Sequence, residues 1–521
     1  MERLPRAKAA RYDYIDLPGC SPGTRLGVFN QINQWVHDDD KHQIYWLNGG
    51  AGTGKTTVAL TLAHSVNREE ILTASFFCSR YNSDRANIRN IFPTLAYLLA
   101  QQTIHFRNEL VQVIRQSPDI GHGLPPTQFY HLILQPMIRT GVKTPVMLIL
   151  DALDECADIH APEIILSALA SNIPLLPSLK VFISSRPTAS TNDAFADEEL
   201  RNRRAVFVLH DVEKDSVDTD IKSYIIRRLK EKAAQRNSAA QFEANWPPMD
   251  LVDKVVEKAA GLFIYASTVC EFIEHRGDLQ YNLQQMANRP ASGYTGIDGL
   301  YRQILESAIA EFKVEGQVQQ CKSILATIIY LRNPLSSQDL GLLLCLTSDH
   351  IRGLLGDLQA VIVVPEDICG TIYALHASFP DFLMDKKRCP EQMYVHPSSQ
   401  QLEIVLQLLQ CMQGLKRDMC QIGNRRSNGQ VQNLEDVCRK HISGVLVYAC
   451  HHWVDHLDLI STENGDPELL HALHTFAFTK LLNWIEVLSL LGSLATAVQS
   501  LQRASSWLAV SYASFHLHRG L

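Results

Sequence analysis

Between Gln43 and His210, short apolar runs alternate with amphipathic stretches, the pattern of an α/β domain built on a mostly parallel sheet. Five runs are short and apolar enough for strands: Ile44 to Leu47, Thr73 to Phe77, Val146 to Leu150, Val181 to Ser184 and Ala205 to Leu209. Beyond His210 the apolar residues fall into helical spacing, as in VDTDIKSYIIRRL and MDLVDKVVEKAAGLFIYASTVCEFI. The Pro- and Gly-containing NRPASGYTGIDG closes that helical block near Gly299. A small helix-plus-wing unit follows to about Pro390, with strands expected at Val361 to Val364 and Thr371 to Leu375. The remainder is helical apart from a polar loop, GNRRSNGQ, and there is no internal repeat.

These breaks divide the chain into a leader (1–40), a nucleotide-binding α/β domain (41–210), a helical lid (211–298), a winged-helix-like unit (299–390) and an all-α arm (391–521). The length of 521 residues leaves room for several cores. A formal charge of -7 gives no nucleic-acid footprint and no polybasic membrane anchor. The 12 cysteines are scattered and form no C-x-x-C pair, which points to a reducing, cytoplasmic setting. The N-terminus lacks the apolar core of a signal peptide, and Val487 to Gln502, the nearest approach to a membrane span, reads as a packed helix.

One segment carries explicit chemistry. GGAGTGKT, Gly49 to Thr56, matches G-x-x-x-x-G-K-[ST] and lies after an apolar strand and before a helix. Gly49, Gly50, Ala51, Gly52, Thr53 and Gly54 let successive backbone N–H groups turn toward phosphate, and the helix that begins near Thr57 adds its own unpaired N–H groups. Lys55 supplies a charge for the β- and γ-phosphates and Thr56 a hydroxyl for Mg²⁺. The buried strand in VMLILDALDEC ends in Asp151, placed to complete the Mg²⁺ site. Asp154 and Glu155 follow on the loop, where a carboxylate polarises attacking water; the same two acids also suit the first turn of a helix. Glu155 is the better candidate base. Arg186, in SSRP, closes another strand as either a γ-phosphate sensor or a solvated turn residue.

Together with CSPGTR (Cys20 to Arg25), SFFCSR, FISSRP, KAAGLFIYASTVCEFI, NPLSSQDL, LHASFPDFL and YACHHWVDHL, these segments resemble the NACHT-type signalling ATPases of the STAND class, in particular the fungal NLR-like proteins. The resemblance implies a switch between an ADP-bound closed form and an ATP-bound oligomer, with slow hydrolysis as its timer. It also implies Mg²⁺ on Asp151, an acidic pair in Asp154 and Glu155, a sensor in Arg186, and Arg25 near the base or ribose. His376 would touch the β-phosphate of ADP, although a core histidine accounts for its apolar neighbours equally well. His452 and His456 stand one helical turn apart, but Trp453 occupies the glutamate position of H-E-x-x-H, so they read as arm residues.

Such proteins commonly carry an N-terminal effector and a C-terminal repeat array. Neither is visible here, so a shortened product, or partner chains that supply both roles, is expected. A non-hydrolysing nucleotide-binding adaptor is the alternative to the switch, and a kinase or helicase would need an acceptor pocket or basic channel that the sequence does not display. The phosphate loop does not choose ATP over GTP; ATP is what the resemblance implies.

Overall fold

A computed structural model describes the chain apart from residues 2–3, 16, 39–41, 67–70, 142–143, 197–199, 201–202, 236–245, 276–277, 289–295, 424–427, 462–465 and 520–521. Most of the NRPASGYTGIDG break and the middle of GNRRSNGQ lie outside the described residues. The chain forms two compact units, Met1–Leu300 and Tyr301–Leu521.

In the first unit, β1 (Ile44–Asn48), β2 (Leu72–Phe77), β3 (Val146–Asp151), β4 (Leu179–Ser185) and β5 (Arg204–Val208) form one sheet in the order β2-β3-β4-β1-β5. Every pairing is parallel. Side chains alternate across the sheet. Val146, Leu148 and Leu150 enter a core shared with helices Ile91–Gln102, Ile104–Gln116 and Ala161–Ala170. Met147 and Ile149 enter the opposite core, with α1 (Leu26–His37) and α2 (Lys55–Val66). Both faces are therefore covered, which is why these strands read as unbroken apolar runs.

The helical block after β5 differs from its sequence pattern in one respect. MDLVDKVVEKAAGLFIYASTVCEFI is two helices, Met249–Ala259 and Phe263–His275, parted by Ala260 (φ 48°) and Gly261 (φ 79°) in left-handed conformation. A longer helix, Lys214–Gln235, buries Val217, Ile221, Ile225 and Leu229, one residue per turn. Its Arg228 holds Glu271 at 2.8 Å and Glu274 at 2.9 Å on Phe263–His275.

In the second unit, helices Gln317–Tyr330, Ser337–Leu344 and Ser348–Leu355 accompany an antiparallel sheet of β6 (Leu335–Ser336), β7 (Ile362–Val363) and β8 (Thr371–Ala374), in the order β6-β8-β7. β6 was not expected: Ser336 ends it and also caps the next helix, accepting from the Asp339 N–H at 3.0 Å, so the helix-start signal hid the strand. The arm that follows is helical, with Trp453 packed against Phe476 and Trp484. Among the described residues, no helix is long and apolar enough to cross a membrane.

His456 belongs to the arm core. It is fully buried between the Tyr448 hydroxyl and the Gln401 amide oxygen, each 2.7 Å away. His452 instead pairs with Asp455 at 2.8 Å and meets Asn333 at 3.0 Å. Burial lowers the His456 pKa to about 3. The unfolded chain, with a value near 6.5, therefore binds one more proton across that interval, and His456 makes stability rise with pH between them. The slope is at most about 1.4 kcal/mol per pH unit. Asp455, held at about 2, acts only at lower pH. Urea midpoints between pH 5 and 6.5 should climb in the parent and flatten in His456→Gln; parallel curves would remove His456 as the source.

Candidate functional site

The loop between β1 and α2 has the conformation its glycines allow. Gly52 (φ 75°) and Gly54 (φ 93°) are left-handed, where a side chain costs about 1–2 kcal/mol. A Cβ on Gly49 would lie 2.7 Å from the Thr53 hydroxyl oxygen. Lys55 folds back over this loop, its Nζ donating to the carbonyls of Gly49 at 2.7 Å and Gly50 at 2.8 Å. Burial pulls its pKa down, and the negative charges of Asp154 and Asp151 oppose that pull.

Asp151, at the end of β3, is 1% exposed. Its carboxylate accepts from the hydroxyl of Ser184, on the neighbouring strand β4, and hydrogen-bonds with Thr56 at the start of α2. Burial raises its pKa, against those hydrogen bonds and the charge of Lys55. Ser184 Oγ also accepts from the Ala152 N–H at 3.0 Å, where the chain turns through φ 54° into the short helix Leu153–Glu155. From sequence Ser184 reads as the end of a strand and not as a site residue; its polarity inside a buried strand is the signal that it has a partner.

The two acids of that turn part ways. Asp154 accepts from the Arg186 backbone N–H at 3.0 Å, and its second oxygen meets Arg186 Nε at 3.4 Å. Glu155 is half-buried, and burial is the main cause raising its pKa, with the cation Arg80 working the other way.

Arg25 sits deeper than its place in a leader segment suggests. It is left-handed (φ 59°) and 5% exposed, donates to the Thr53 carbonyl at 2.8 Å and stacks 4.6 Å from the ring of Phe263. Its backbone N–H donates to Asp220 at 2.9 Å. Arg25 thus ties the phosphate loop to two helices of the helical block. It also lines a cavity of about 340 Å³ with Val28, Gln31, Phe207, Asp211 and Asp220. Asp220 and Phe263 were missed from sequence, where each reads as an ordinary position of an amphipathic helix.

The same block touches the loop directly: the Ile264 N–H donates to the Gly52 carbonyl at 3.1 Å, and a Cβ on Gly52 would lie 2.0 Å from Ile264 Cγ2. Gly52→Ala should therefore cost about 1–3 kcal/mol of stability and displace the start of Phe263–His275. Urea unfolding measures the loss, and Ile264→Ala in the same chain should recover part of it. A Gly52→Ala protein of parental stability would show that the contact carries no strain.

His376 lies just after β8, in the second unit, where its Nδ1 is 2.7 Å from the Ser378 hydroxyl, itself 2.7 Å from the Tyr301 hydroxyl. Among the described residues no group of three or more His, Cys, Asp or Glu side chains is arranged for a metal ion.

A parallel sheet whose first strand feeds a glycine loop and a lysine-led helix, with a buried aspartate ending the strand two places away, defines a P-loop NTPase fold. Residues 26–186 match the family model described as Nephrocystin 3, N-terminal. Over 516 residues the chain is 24% identical to vegetative incompatibility protein HET-E-1 of Podospora anserina, covering 92% of this chain and 35% of that protein. The chain thus spans about a third of that relative's length. The resemblance to the fungal NACHT-type NLR-like proteins is borne out by these two matches. Among solved structures, the Walker-type ATPase PABY2304 of Pyrococcus abyssi is 14% identical, covering 70% of this chain and 98% of its own, with a TM-score of 0.35. The Aeropyrum pernix Orc1 protein, solved in complex with DNA, is 13% identical, covering 71% and 92%, with a TM-score of 0.33.

Proposed function

We propose that the chain is a nucleotide-operated signalling switch that binds ATP or ADP with Mg²⁺, hydrolyses ATP slowly, and assembles with copies of itself in the triphosphate form. The observation that carries this reading is the double attachment of the helical block to the phosphate loop, through Ile264 on Gly52 and Arg25 on Thr53 and Phe263. A loop that rearranges on taking up a γ-phosphate would thereby shift the block.

In this reading Gly49 to Thr57 hold the phosphates, and Lys55 exchanges the carbonyls of Gly49 and Gly50 for phosphate oxygens. The buried carboxylate of Asp151 beside the Thr56 hydroxyl suits Mg²⁺, which would neutralise phosphate charge there. Glu155 takes the proton of the attacking water, and Asp154 positions Arg186 as the sensor. The cavity beside Arg25 takes the base or ribose. By similarity to HET-E-1, the output is an incompatibility or innate-immunity type of response.

The test is the nucleotide released from the purified protein by denaturation, together with its mass in solution with ADP and with a non-hydrolysable ATP analogue. Bound ADP, and a monomer that assembles only with the analogue, is the expected result. Bound nucleotide with an unchanging mass favours the non-hydrolysing adaptor, and an empty site points to an inactive product.

A further inference from the structure

Two thiols flank the acidic turn. Cys78 follows β2 directly, is 3% exposed, and its backbone N–H donates to the Asp151 carbonyl at 3.0 Å. Cys156 follows Leu153–Glu155, is half-buried, and its Sγ lies 3.7 Å from that of Cys78. On the far side of Cys156 the chain is anchored again, the Ala157 N–H donating to the Ala86 carbonyl at 2.9 Å. We propose that Cys78 and Cys156 are a peroxide-sensitive modification site, and that their disulfide pins the turn carrying Asp154 and Glu155 to the end of β2.

Bond formation needs the sulfurs to close to about 2.05 Å, a movement within reach of side-chain rotation from their present separation. Cys156 is the accessible partner and reacts first. Its thiolate attacks one peroxide oxygen, the O–O bond breaks, and the departing hydroxide takes a proton to become water, leaving a sulfenic acid. The Cys78 sulfur then attacks that of Cys156, the S–O bond breaks, and a second water leaves. Two thiols lose two electrons and one hydroperoxide gains them. Arg85, whose Nε donates to the Phe77 carbonyl at 2.8 Å, favours the Cys78 thiolate, opposing the rise in pKa that Cys156 and burial cause. The other close pair, Cys420 and Cys438 at 4.0 Å, is buried at both ends and serves as an internal control.

The consequence for turnover rests on the role proposed for Glu155; formation of the bond does not. The 521-residue chain, reduced and then freed of reductant, is exposed to hydrogen peroxide, alkylated, digested without reduction and analysed by mass spectrometry. A peptide joining Cys78 to Cys156, lighter by two hydrogens and cleaved by dithiothreitol, is expected. In Cys78→Ser, Cys156 should persist as a sulfenic acid that dimedone traps, a readout that needs no cross-link. Undiminished alkylation of Cys156 after peroxide, or its pairing with another cysteine, overturns the proposal. Oxidation should also abolish most ATP turnover in the parent, reversibly with dithiothreitol, and leave Cys156→Ser unaffected. Equal loss in Cys156→Ser overturns the coupling to the turn. A disulfide in a chain whose reduced form has no turnover upholds the thiol pair and counts against the hydrolytic switch.

Discussion

Lys55→Ala should lose nucleotide binding by about 10- to 100-fold or more, because each charge-assisted hydrogen bond to a phosphate contributes about 1.5–3 kcal/mol and 1.4 kcal/mol is tenfold in affinity. The surroundings sharpen this expectation. Asp151, Asp154 and Glu155 all bear electrostatically on the Lys55 ammonium, so an anionic ligand entering without it meets three carboxylates with one cation fewer to offset them. Removal of the side chain also frees the carbonyls of Gly49 and Gly50, which it gathers into one loop conformation. Titration of a fluorescent nucleotide with Mg²⁺ measures the change, with unfolding curves to show that the fold persists. A variant that binds within twofold of the parent would move the phosphate site away from this loop.

How much of this was legible depended on whether a feature is local. The strands were, because a sheet covered on both faces needs apolar residues at every position, and VMLILD satisfies both cores at once. The glycine loop was legible because its backbone conformation selects residue type directly. The break at Ala260 was not: alanine continues a helical pattern, and only the contact of the next helix with Gly52 gives the interruption a purpose. Nor was the company Arg25 keeps. The resemblance implied a place near base or ribose but not its hydrogen bond to Thr53, its stacking on Phe263 or its link to Asp220, which join segments far apart in the chain. Periodicity assigned Asp220 and Phe263 to helices but not to the loop they serve.

The acidic turn yields the last expectation. ALDE offers two carboxylates side by side, and sequence gives no physical reason to prefer one beyond position. The structure separates their environments: Asp154 is engaged by the backbone and guanidinium of Arg186, while burial raises the Glu155 pKa, which makes its carboxylate the better proton acceptor. Glu155→Gln keeps the shape and removes that capacity. Its hydrolysis rate should fall by about 10²- to 10⁴-fold, the usual contribution of a positioned base, while nucleotide affinity is retained and the triphosphate accumulates. The pH profile supplies the discriminating sign. A base works deprotonated, so the parental rate should rise with pH through the raised Glu155 value and then level, and the variant should lose that rising limb. Asp154→Asn should behave differently, lowering the rate by releasing Arg186 while keeping the limb. Single-turnover measurements on the three proteins across pH separate the roles, and a Glu155→Gln chain that turns over at the parental rate would transfer the base to another group.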